Sequence, residues 1–163
     1  MNIIDEIREK QKDLILMVNS TFDELVQKVS NLKQTQIQNY SSFESIYPLT
    51  NTSGFKGKKV IAVIINDKRQ TVTTWKILVS KVFEYVLSND TYKVRMYELS
   101  DKILGRKRVQ LSSNNLNMKS ALKLADNLYL ETHYDTETLM NLLLKLLSDI
   151  SFDYSNIKVA IKN

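Results

Sequence analysis

Between Ile3 and Asn39, apolar residues recur at Ile4, Ile7, Leu14, Val18, Phe22, Leu25, Val29 and Leu32, and no Gly or Pro interrupts them. Steps of three, four and seven place these side chains on one stripe of an α-helix. Gln11 occupies the stripe between Ile7 and Leu14, and two successive steps of four, from Leu14 to Val18 to Phe22, act as a stutter in a heptad pattern. A helix of about 35 residues is about 50 Å long, more than the rest of the chain can cover. The stripe is therefore an expected self-association surface, a candidate coiled coil joining two or more copies. The alternative is two shorter helices, broken near Asn19-Ser20-Thr21 and folded back as a hairpin.

From Tyr40 to Gly57 the texture changes. Ser, Thr and Asn cluster around Pro48 and Gly54, with Phe43, Ile46, Tyr47 and Leu49 as scattered apolar anchors, which reads as a linker that packs in places. The run Lys58 to Ile65 suits a buried strand by its β-branched content. Asn66-Asp67-Lys68 supplies a turn, and Arg69 to Thr73 is the return strand of a hairpin.

Thr73 or Thr74 then caps a helix starting near Trp75, with Trp75, Leu78, Val79, Val82 and Val86 on its inner face. A weaker helix follows from Tyr92 to Asp101, then a turn into a strand over Gly105 to Ser112 and a polar loop from Ser113 to Ser120. Asn127 to Thr132 is a strand, Asp135 an N-cap, and Leu139, Leu142, Leu143, Leu146, Leu147 and Ile150 the apolar face of a last helix. Ile157 to Ile161 closes the chain as a strand.

Strands and helices intersperse without a βαβ repeat, which predicts an α+β fold. Its expected form is a long N-terminal amphipathic helix followed by a compact domain with a β-hairpin, a small mixed sheet and two or three packed helices. The parts divide as 1–39, a helical assembly arm; 40–57, a linker; and 58–163, the compact domain.

Composition supports a folded chain: of 163 residues, 43% are hydrophobic and 25% charged. There is no cysteine, which excludes disulfides and thiolate metal sites and fits a reducing cytoplasm. The first residues are acidic where a secretory signal is basic, and Leu14 to Val18 is too short to span a bilayer. Leu139 to Leu147 is interrupted by Asn141 and Lys145. A cytoplasmic protein with no membrane association is expected.

Little in the sequence points to catalysis. No phosphate-binding loop, dinucleotide fingerprint, nucleophile elbow or zinc-protease motif occurs. The single histidine, His133, is flanked by Glu131 and Asp135 where a strand hands over to a helix, and a turn explains those residues better than an acid–base pair or a metal site does. Asp67, Asp90, Asp101, Glu131 and Asp135 show no spacing of a divalent-metal nuclease. No enzyme activity, cofactor or metal is expected.

Charge is the informative feature. Residues 1–55 carry a balance of −2, residues 56–123 a balance of +10, and residues 124–163 a balance of −3. The sharpest cluster is Lys102-Ile103-Leu104-Gly105-Arg106-Lys107-Arg108, and Lys56, Lys58, Lys59, Lys119 and Lys123 extend it if the fold gathers them. Such residues contact phosphates, though Lys and Arg also protect exposed strand edges.

A short hairpin, Trp75-Lys76 opening a helix, the Gly-Arg-Lys-Arg segment and Leu128-Tyr129-Leu130-Glu131-Thr132 before a Leu-rich helix resemble a small uncharacterised module. That module belongs to the C-terminal parts of bacterial mobile-element and restriction-type defence proteins. The resemblance covers about residues 56–161 and implies a bacterial or phage setting, without catalytic residues. The expected function is a non-enzymatic binding module, a homodimer or higher oligomer through its arm, whose basic face contacts nucleic acid. The alternative is a regulatory component or inhibitor of a defence complex, docking on an acidic protein surface.

Overall fold

The structure, a computed structural model, describes residues 2–103 and 109–163, with only the backbone described over 33–42. The chain divides into two units, Met1–Phe43 and Glu44–Asn163.

The first unit is one helix, α1 (Ile3–Phe43), of 41 residues. It runs unbroken through Asn19-Ser20-Thr21, so the folded-back hairpin does not form. Thr21 is accommodated there because its hydroxyl donates to the Met17 carbonyl at 2.9 Å, satisfying a group that otherwise competes with the helix. Asp5 and Glu6 sit in the first turn, where carboxylates complement the positive end of the helix dipole. Among the side chains described, the apolar stripe is exposed throughout.

The second unit holds β1 (Glu44–Pro48), a 3₁₀ turn (Thr52–Phe55), β2 (Val60–Ile65), β3 (Lys68–Thr71), α2 (Trp75–Val86) and α3 (Asp90–Leu99). After these come β4 (Leu111–Ser112), β5 (Ala121–Ala125), β6 (Leu128–Glu131), α4 (Thr136–Asp149) and β7 (Ile157–Lys162). The fold is α+β, and where one small mixed sheet was expected there are two antiparallel sheets. One has the order β1-β7-β2-β3 and the other β4-β6-β5.

Local chemistry sets the hairpin. Asn66 and Asp67 join β2 to β3 with φ of 48° and 61°, the two left-handed residues that match a hairpin turn to strand twist. The chain's last strand, β7, inserts between β1 and β2, pairing Ile46 with Ala160 and Val63 with Val159. Residues 44–55, read from the sequence within a linker, thus supply an edge strand and a 3₁₀ turn, and Leu49 and Phe55 are fully buried.

The core lies between the larger sheet and the helices. Val63, Ile65, Ile157 and Val159 meet Leu78, Val79, Val82 and Phe83 of α2 and Leu139, Leu143, Leu146 and Leu147 of α4 in one buried cluster. Thr74 caps α2 by accepting from the Ile77 N–H, and Asp135 caps α4 by accepting from the Thr138 N–H, each satisfying an N–H that has no partner within its helix. Among the described residues, no helix is long and apolar enough to cross a membrane.

Candidate functional site

The basic residues singled out in the sequence occupy different places. Leu104, Gly105, Arg106, Lys107 and Arg108, the sharpest cluster in the sequence, lie outside the described residues. Lys102 is exposed just before them, in a turn where its N–H donates to the Leu99 carbonyl. Lys123, on β5, is also exposed but pairs with Asp126 at 2.8 Å. That bond and the attraction of the carboxylate raise the Lys123 pKa.

The remaining ones are brought by tertiary structure to the N-terminal end of α2. Lys58 offers its carbonyl to the indole N–H of Trp75 at 3.1 Å, the first residue of that helix. Lys59 offers its carbonyl to the N–H of Lys162 at 2.8 Å. On the other side, the Lys76 ammonium donates to the Ser120 hydroxyl at 3.0 Å and the Ala121 carbonyl at 3.3 Å, which brings Lys119 to the same end of the helix.

Three stretches far apart in sequence, 56–59, 74–76 and 119–121, are thereby tied together. Lys56, Lys58, Lys59, Lys119 and Lys162 are exposed, and none forms an ion pair with a described residue. Gly57 sits in this loop with φ of 71°, a conformation that favours glycine over any residue with a Cβ. Beneath the loop, Phe55 packs on Trp75 with ring centroids 5.1 Å apart.

Three of the candidate carboxylates, Glu131, Asp101 and Asp135, take part in building the fold. Glu131 is fully buried, and its oxygens accept from the backbone N–H groups of Lys119 at 2.6 Å, Ser120 at 3.0 Å and His133 at 2.9 Å. Burial pushes its pKa up, but these backbone donors favour the charged form and together hold it below the ordinary Glu value. Asp101 accepts from the Ser112 hydroxyl and the Ser113 N–H, and both lower its pKa. Asp135 is the α4 cap, and His133 is exposed.

Sequence reasoning named Lys56, Lys58, Lys59, Lys119 and Lys123 as extensions of the basic segment but missed Lys76, which ties two of the stretches together. The only advance signal for Lys76 was its position next to Trp75 at a predicted helix start. Comparison with known proteins returns no matching family model, curated protein or solved structure.

Proposed function

We propose that this chain is a non-enzymatic binding protein that self-assembles through α1 and docks nucleic acid on the lysine surface around the start of α2. The observation that carries the reading is that the Lys58–Trp75 and Lys76–Ser120 contacts bring the stretches bearing the exposed Lys56, Lys58, Lys59 and Lys119 to the start of α2. Phosphates are read by such exposed ammonium groups without demanding a fixed geometry. The segment 102–108 adds charge to the same unit.

Two features support a binding role over catalysis. The buried carboxylate that would make the best acid–base group, Glu131, is committed to backbone N–H groups, those of Lys119, Ser120 and His133 among them. His133, two residues further on, approaches it through its backbone N–H. The setting implied by the module resemblance, bacterial or phage, suits a protein working beside DNA or RNA.

The test is fluorescence anisotropy with labelled single- and double-stranded oligonucleotides of mixed sequence. Binding is expected to fall steeply and log-linearly with salt. Changing Lys58, Lys59 and Lys119 together to Glu should weaken it at least tenfold, and changing Arg106, Lys107 and Arg108 together to Ala should weaken it further. Unchanged binding in both variants would remove the proposed surface. An absence of binding to any oligonucleotide, with a protein co-purifying after nuclease treatment, would replace nucleic acid by an acidic protein partner.

A further inference from the structure

The nine stripe positions of α1 read the same from either end. Outward from Val18 the steps are four, three, four and three in both directions, to Leu14, Gln11, Ile7 and Ile4 on one side and to Phe22, Leu25, Val29 and Leu32 on the other. The stutter is the centre of this mirror. The helix continues through it without a break, and every one of the nine side chains is exposed in the single chain.

We propose that two copies of α1 pair antiparallel about a two-fold axis at Val18. Ile4 then meets Leu32, Ile7 meets Val29, Gln11 meets Leu25, Leu14 meets Phe22, and Val18 meets its own copy. This deepens the self-assembly reading above and rests on it. A two-fold contact is self-complementary, residue i on j and j on i. For antiparallel helices that demands a mirror-symmetric spacing. A parallel pair matches any spacing to itself and imposes no such symmetry.

The flanks discriminate further. Ile15 and Val26 each sit one residue beyond a stripe position, Leu14 and Leu25, and are exposed at 60% and 49%. In the antiparallel register they lie on the same side of the seam and meet each other. In a parallel register they would instead lie beside Lys10 and Thr21, leaving apolar surface against polar. Gln11 against Leu25 is the weakest layer.

The surface suffices for a stable pair. Eight apolar stripe residues and the two flanking ones, at roughly 60–120 Å² each, would bury about 600–1,200 Å² per helix. A standard interface takes about 800 Å² per partner. Leu16, exposed at 67%, lies on the opposite side of the helix from Val18 and is left outside the seam.

The chain has no cysteine, so introduced thiols report alone. Light scattering on the full chain should give a dimer, dissociated by Val18→Lys and retained in Leu16→Lys. Under mild oxidation, an equimolar mixture of Ile7→Cys and Val29→Cys chains should form disulfide-linked dimers with one chain of each kind, and neither variant alone should. A monomer by light scattering would sink self-assembly and this pairing together. Links between two Ile7→Cys chains would leave self-assembly standing and overturn the antiparallel arrangement. A dimer without mixed links, or one lost in Leu16→Lys, would overturn the seam.

Discussion

Arg69 on β3 and Glu44 on β1 form a two-pronged ion pair, at 2.9 and 2.7 Å, between the two edge strands of one sheet. Register places both side chains on one face, the face that also carries Ala62 and Ala160 on the intervening strands β2 and β7. Both alanines are fully buried. The Glu44 side chain is 5% exposed and that of Arg69 is 34% exposed. Arg69→Ala strands a buried carboxylate and should cost about 1–3 kcal/mol, reduced from the value for a fully buried pair by the solvent at Arg69. Glu44→Ala should cost less, and adding it to Arg69→Ala should restore part of the loss. A double-mutant cycle by urea denaturation measures the coupling; strict additivity would show that the pair contributes nothing.

Glu131 links stability to acid. Its folded pKa lies below the ordinary Glu value because Lys119, His133 and Ser120 donate backbone N–H groups to the carboxylate against the cost of burial. A depressed folded pKa means that its contribution is complete above the unfolded value and is lost as pH falls through the folded one. Glu131→Gln should therefore cost about 1.5–3 kcal/mol at pH 7, and the difference from the parent should shrink as pH is lowered below the ordinary carboxylate range. Asp101 and Asp135, also lowered, keep part of the acid loss in the variant. Denaturation midpoints from pH 7 down to pH 2 check this; a constant difference would refute it.

Much of this architecture was legible in the sequence because it is written in local periodicity. The stripe of α1, the β-branched run of β2, the Leu face of α4 and the Asp135 cap each come from spacing or from one residue's chemistry. What was not legible depends on distant partners. Glu44 to Pro48 has little strand character, and it becomes β1 only because β7 offers it an open edge. Ala121 to Ala125 becomes β5 by pairing with β6 across Asp126-Asn127, where Asn127 adopts φ of 52°. The stretches 56–59 and 119–121 meet at the start of α2 through Trp75 and Lys76, and nothing in their own spacing announces it.

The α4 cap can be tested for charge and hydrogen bonding separately. Asp135 accepts from the Thr138 N–H at 3.0 Å and the Thr138 hydroxyl at 2.7 Å, and these bonds lower its pKa. Asp135→Ala removes both and should cost about 0.5–2 kcal/mol. Asp135→Asn keeps the N–H acceptor and should lose only a few tenths of a kcal/mol at pH 7, the charge–dipole part. Thermal unfolding of the two variants separates the contributions, and equal losses would assign the effect to charge.

The junction beneath the lysine loop offers a way to disturb that surface without altering a charge. Phe55 is fully buried, stacked on Trp75 and edge-on to Tyr47 at 6.5 Å, and three residues before Lys58, whose carbonyl receives the Trp75 indole N–H. Phe55→Ala should cost about 3–5 kcal/mol, and Phe55→Leu, which refills most of the space, clearly less. Trp75 is the only tryptophan, so its fluorescence reports this junction directly. Phe55→Leu should shift the emission to longer wavelength as solvent reaches the indole, while circular dichroism stays unchanged. If the loop positions the lysines, that variant should weaken oligonucleotide binding with the same number of charges and an unchanged salt slope. Tight binding with a shifted Trp75 signal would show that the surface does not depend on this packing.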